Sequence, residues 1–137
     1  MTKSGILRSL GIIAALLCSP AAAQAPVPCA GAKTACVVST SPASGAVVRP
    51  GPTILQVKFD RPMRQDSFSV TDAPGGAQPQ IAGRPRFLAD GRTFEIPLIL
   101  KPGVTYALSI NSDAHRNFRG LDGTTATPRS IIFRTDR

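Results

Sequence analysis

From Val104 to Ile110 the chain alternates: Val104, Tyr106, Leu108 and Ile110 are apolar or aromatic, while Thr105, Ala107 and Ser109 are small or polar. The same period of two runs through Thr53 to Phe59, where Leu55, Val57 and Phe59 share one face and Gln56 and Lys58 the other. Successive side chains of a strand project to opposite faces, so each run predicts a strand with one buried side. The remaining sequence is cut into short pieces by 13 Pro and 12 Gly. Beyond the first two dozen residues no stretch shows the spacing of an amphipathic helix. A chain patterned in this way must fold as sheets that share an apolar interior.

Further pieces fit that expectation. Ala35 to Thr40 carries Val37-Val38 and ends at Ser41-Pro42, with a turn over Ala43-Ser44-Gly45-Ala46. Ser67 to Thr71 reads as a strand with Phe68 and Val70 on its inner face. Gln80 to Leu88 is less regular, and Arg84-Pro85-Arg86 marks an edge strand, because proline has no N–H for a central ladder. Asp90-Gly91 is a hairpin signal between Phe87-Leu88 and a returning strand at Arg92 to Leu98, with Phe94 and Ile96 aligned. A polar loop is predicted from Asn111 to Pro128, and Arg129 to Thr135 closes the domain with Ile131 and Phe133 in register. Seven short strands predict an all-β, Ig-like Greek-key sandwich.

The beginning of the chain has a different character. Lys3 and Arg8 precede an apolar run from Leu10 to Leu17, and Ala21-Ala22-Ala23 offers small residues to a signal peptidase. The expected division is a signal peptide over 1–23, a lead-in over 24–40 and the sandwich domain over 41–137. The apolar run is shorter than the roughly 20 residues of a membrane span, so no span is expected after cleavage. Leu16-Leu17 ahead of Cys18 departs from the pattern of a lipidated cysteine. Export to a periplasmic or secreted location follows. Cys29 and Cys36 then remain in an oxidising space and are expected to form a disulfide, a gain of about 2–3 kcal/mol in the chain-entropy view.

Leu100-Lys101-Pro102-Gly103-Val104-Thr105-Tyr106 has the spacing of a tyrosine corner, with Leu100, Pro102, Gly103 and Tyr106 as its parts. With Ser41-Pro42-Ala43-Ser44-Gly45-Ala46, Ile54 to Phe59 running into Asp60-Arg61-Pro62-Met63, Asp90-Gly91-Arg92-Thr93, Gly120-Leu121 and Phe133-Arg134-Thr135, residues 40–136 resemble bacterial Ig-like domains of the SbsA/Big_5 type. That resemblance implies a structural or adhesive module outside the cytoplasm, without shared catalytic residues. The chain departs from it in being one domain rather than one of a string. The chain is also similar to periplasmic copper carriers of the CopC type, which form a comparable sandwich and bind copper through an N-terminal His with further His, Asp or Met ligands. Here the expected terminus is Gln24, the one histidine is His115, and Met63 is the one methionine beyond the leader. Copper favours several imidazole or thioether donors.

No GxSxG elbow, paired carboxylates or EF-hand spacing occurs, so no catalytic residue is expected and no cofactor. Asp113, His115 and Asp122 share the long loop and are the weak metal candidates. Of 16 Lys and Arg, Lys3 and Arg8 belong to the leader, leaving 14 against 8 Asp and Glu. This basic surface lacks interleaved aromatic residues and does not suit nucleic acid. Arg84, Arg86, Arg116 and Arg119 are the candidate contacts to an anionic envelope component or a protein partner, since the guanidinium fork matches phosphate and carboxylate. The sequence leaves the oligomeric state open. The functional expectation is a non-catalytic, exported interaction module, with a periplasmic ligand- or metal-binding protein of CopC-like shape as the alternative.

Overall fold

The computed structural model describes Cys29 and residues 33–137. The expected signal peptide and its cleavage position lie outside the described residues. Among the described residues all regular structure is β: β1 (Val37–Ser41), β2 (Val47–Val48), β3 (Gly51–Phe59), β4 (Val70–Asp72), β5 (Gln80–Ile81), β6 (Arg86–Phe87), β7 (Thr93–Leu100), β8 (Thr105–Ile110) and β9 (Arg129–Thr135). They form two sheets. One runs β1-β3-β7-β5, with β6 also on β7; the other runs β2-β9-β8-β4. All pairings are antiparallel except β2 with β9.

The two alternating segments supply the facing inner surfaces. Leu55, Val57 and Phe59 of β3 and Phe94, Ile96 and Leu98 of β7 meet Tyr106, Leu108 and Ile110 of β8 and Ile131 and Phe133 of β9, all buried. The Asp90-Gly91 hairpin forms as its sequence predicts. Phe87 sits opposite Phe94, Gly91 takes a positive φ of 67°, and Asp90 Oδ1 accepts the N–H groups of Arg92 and Thr93 at 3.0 and 2.9 Å.

Several expectations need correction. Among the described residues there are nine strands rather than seven, because the 80–88 segment pairs with β7 only as β5 and β6, separated by Gly83 and Pro85, and because β2 adds a two-residue pairing on β9. The strand expected over Ser67 to Thr71 is instead Val70–Asp72, and Phe68 is 42% exposed. Its ring still lies 5.0 Å from that of Phe94, capping the open end of the core. Ala107 and Ser109, expected to face water, are buried. The loop after β4 packs over Ala107: a Cβ on Gly76 would sit 2.8–2.9 Å from the backbone of Thr105, Tyr106 and Ala107, and one on Gly75 would meet Ile132, while the Ser109 hydroxyl is bonded to Asn111 O at 2.6 Å. Ala77 pairs with β8 through two hydrogen bonds of 2.9 Å, to Thr105 and from Ala107.

The largest departure is the loop from Asn111 to Pro128. It is not merely a polar surface excursion, because Asn111, Phe118 and Ala126 are fully buried. Phe118 lies among Phe59, Phe94, Phe87 and Phe68, with ring centroids 5.0–6.2 Å away. The sandwich also takes in part of the segment read as a lead-in. Ala35 and Val37 are buried, and β1 pairs with β3.

Candidate functional site

Two groups of polar side chains are assembled at the margins of the sandwich. The first joins three segments distant in sequence. β3 ends at Phe59, and the next two residues, Asp60 and Arg61, turn toward the segment around Cys36. Asp60 and Cys36 exchange backbone and side-chain bonds: Asp60 N–H donates to Cys36 O and Cys36 N–H donates to Asp60 Oδ1, both at 3.0 Å. Arg61 binds both oxygens of Asp60, at 3.1 and 2.7 Å. It also donates to Thr34 O at 2.8 Å, Asp122 Oδ2 at 3.2 Å and Thr124 Oγ1 at 3.3 Å. Asp60 and Arg61 are 17% and 16% exposed, so the pair is largely shielded from water. The Arg61 guanidinium holds the Asp60 carboxyl below its ordinary value, with help from the Cys36 N–H and against the opposing effect of burial.

The Asp122 turn presents itself to this guanidinium through local bonds. Gly120 N–H donates to Thr124 O at 2.8 Å, and Asp122 Oδ1 accepts both Thr124 N–H and Thr124 Oγ1, at 3.1 and 2.6 Å. The Thr124 hydroxyl, more than Arg61, holds the exposed Asp122 carboxyl low. Asp122 is therefore part of a structural clamp rather than a companion of Asp113 and His115. Beside the clamp, Cys29 and Cys36 are joined in a disulfide with Cα atoms 5.9 Å apart. The two sulfurs and an Asp60 oxygen lie within 4.8 Å of one another, all half-buried.

The second group is the turn after β8. Asn111 has a φ of +57°, a left-handed conformation that Asn tolerates better than most residues. Its amide donates to Phe118 O at 3.1 Å and Ala126 O at 2.9 Å, and accepts Phe118 N–H at 3.0 Å. This buried staple fixes both ends of the loop. Outside it, Ser112 N–H donates to His115 O at 2.8 Å, and His115 N–H to Ser112 Oγ at 3.1 Å. The tight turn leaves Asp113 and His115 exposed, two residues apart, with Arg116 3.4 Å from Asp113. Among the described residues, Asp113, His115 and Asp122 do not come together as a metal-ligand trio.

The arginines named from sequence fall in two places, the 80–88 segment beside β7 and the turn after β8. Arg84 is exposed between β5 and β6, and Arg86 reaches Glu95 at 3.6 Å while staying 73% exposed. Arg119 donates to Arg116 O at 3.3 Å, so those two share one turn. At the corner before β8, Lys101 N–H donates to the Tyr106 hydroxyl at 2.7 Å. Sequence reasoning missed Asp60, Arg61 and Asn111. A charged pair directly after an alternating strand, and an aromatic residue inside a long polar loop, are the signals that could have pointed to them.

The geometry defines an all-β sandwich that carries polar turns at its margins. In solved structures it is similar to CopC from Methylosinus trichosporium OB3b, with a TM-score of 0.55 and 18% identity, covering 74% of this chain and 93% of that one. At that identity the likeness is one of fold. No protein-family profile and no curated protein sequence matches the chain. Among the described residues no helix is long and apolar enough to cross a membrane.

Proposed function

We propose that this chain is an exported, non-catalytic binding protein of CopC-like shape, which takes a ligand or metal ion at the exposed turn from Ser112 to Arg116. The observation that supports this reading most is the staple at Asn111. A buried left-handed residue with three hydrogen bonds makes a rigid base for a turn that holds a carboxylate and an imidazole two residues apart. Rigid support of this kind lowers the ordering cost of binding.

The copper chemistry of the CopC type does not fit the residues present. His115 is the one histidine, and Met63 is 1% exposed inside the core. Asp113 and His115 give two donors of borderline character, suited to a weakly held divalent ion whose other positions are filled by water or by a second protein. Calorimetric titration of the disulfide-bonded protein with Cu2+, Zn2+ and Ca2+ tests the metal arm. A heat that disappears in His115→Ala supports it, and no heat at micromolar protein removes it.

The second reading is the interaction module implied by the Ig-like resemblance, periplasmic or secreted. It is favoured by the outer face of the first sheet. Ile54 and Ile99 are 54% and 37% exposed, opposite Pro97 and Pro52 respectively. The exposed guanidiniums of Arg84, Arg86, Arg116 and Arg119 would meet an anionic envelope component. Size-exclusion and pull-down from envelope extract decide this reading: a strict monomer that captures nothing counts against it.

A further inference from the structure

We infer that Cys29, Cys36 and Asp60 form a second, redox-gated site for a thiophilic divalent cation of the Zn2+ class, closed while the disulfide stands and opened by an external dithiol. The site uses neither Asp113 nor His115, so it stands apart from the proposed binding turn.

The geometry carries this in three steps. First, the donors already converge: both sulfurs and an Asp60 oxygen lie within 4.8 Å of one another. In a tetrahedral zinc site Zn–S is about 2.3 Å and Zn–O about 2.0–2.2 Å, so donors stand roughly 3.5–3.8 Å apart. Only a small rearrangement separates the observed cluster from that spacing once the S–S bond opens. Second, two of the three donors are held without the disulfide. Cys36 N–H remains on Asp60 Oδ1, Ala35 N–H on Thr125 O at 3.2 Å, and Thr34 O on Arg61. Cys29 is tethered seven residues from Cys36, so it returns at high effective concentration. Third, the charge favours a cation. Two thiolates, Asp60 and Asp122 bring four negative charges against the single guanidinium of Arg61, so a divalent ion takes the cluster close to neutrality, with water as its fourth ligand.

The chemistry is balanced. An external dithiol gives two electrons and two protons to the S–S bond, becoming a disulfide itself and leaving two protein thiols. Metal binding then displaces the two thiol protons into solvent and forms two metal–sulfur bonds. An external disulfide reverses the step: it takes two electrons from the thiolates and two protons from solvent, becomes a dithiol, and the re-formed S–S bond expels the ion.

Titration of the purified protein with Co2+, before and after phosphine reduction, tests the inference. The reduced protein should take one equivalent with a thiolate-to-cobalt absorption band, which Zn2+ abolishes, and release two protons per metal. The oxidised protein should show no such band. Reduced Asp60→Asn should bind at least tenfold more weakly when followed by that band. Because Asp60→Asn also disturbs the clamp, X-ray absorption on the zinc-loaded parent gives an independent reading: two sulfurs with oxygen in the remaining positions. An absent band after reduction, an equal affinity in Asp60→Asn, or a shell without sulfur overturns the site.

Discussion

Asn111 is the residue on which the most local structure depends. Asn111→Ala leaves Phe118 N–H and the Ala126 carbonyl without their partner, takes one of two donors from the Phe118 carbonyl, which keeps Ala126 N–H, and places an apolar residue at positive φ. The expected loss is about 3–5 kcal/mol, since buried unpaired groups cost about 1–3 kcal/mol each in the absence of relaxation. Asn111→Gly removes the conformational penalty but not the orphaned groups, so it should be less destabilising than Asn111→Ala by about 1 kcal/mol. Urea unfolding of the two variants side by side checks both figures. Tyr106→Phe removes the acceptor for Lys101 N–H and should cost about 1–2 kcal/mol. If the loop were the loose polar excursion that its composition suggests, neither Asn111 variant would change the midpoint.

At the level of elements, the clamp of Asp60, Arg61 and Asp122 ties the end of β3 to the segment before β1 and to the turn before β9. The Asp60 carboxyl is held below its ordinary value of 3.8. A group depressed in the folded state stabilises fully above its unfolded pKa and loses that contribution as pH falls through its folded pKa. Stability should therefore hold from neutral pH to about pH 5 and decline below pH 4, and Asp60→Asn should flatten that decline while lowering stability at pH 7. Chemical denaturation at a series of pH values reads both effects. The loop after β4 makes a separate prediction. Gly76→Ala would force a Cβ against three backbone atoms of β8, and overpacking of this sort costs about 1–3 kcal/mol.

These elements also mark what the sequence could disclose. β3, β7, β8 and β9 and the Asp90-Gly91 hairpin were legible, because alternation and turn chemistry are local. The clamp was not, because Arg61 and Asp122 are 61 residues apart and each reads alone as a solvated charge. Phe118 and Ala126 were hidden for a related reason: single core residues inside a loop have no period. The burial of Ala107 and Ser109 is hidden in the sequence because alternation shows which face is apolar, not whether distant segments cover the other.

Across the whole molecule, the core is continuous from sheet to sheet. Phe118 touches Phe59 and Phe94 of the first sheet while its own backbone is stapled to Asn111 beside the second. Tyr106, the one tyrosine, stacks near Phe133 at 5.8 Å. Tyrosine fluorescence and far-ultraviolet dichroism should thus report one transition with coincident midpoints, as expected for a single cooperative domain. Separate midpoints would show that the sheets unfold independently.

β9 lies inside its sheet, gripped by β8 on one side and by β2 on the other. A chain without residues 129–135 would therefore have a gap in its second layer, with β2 and β8 left unjoined. Such a chain could not trap itself in a finished shape. It would close only when that strand slid between both neighbours.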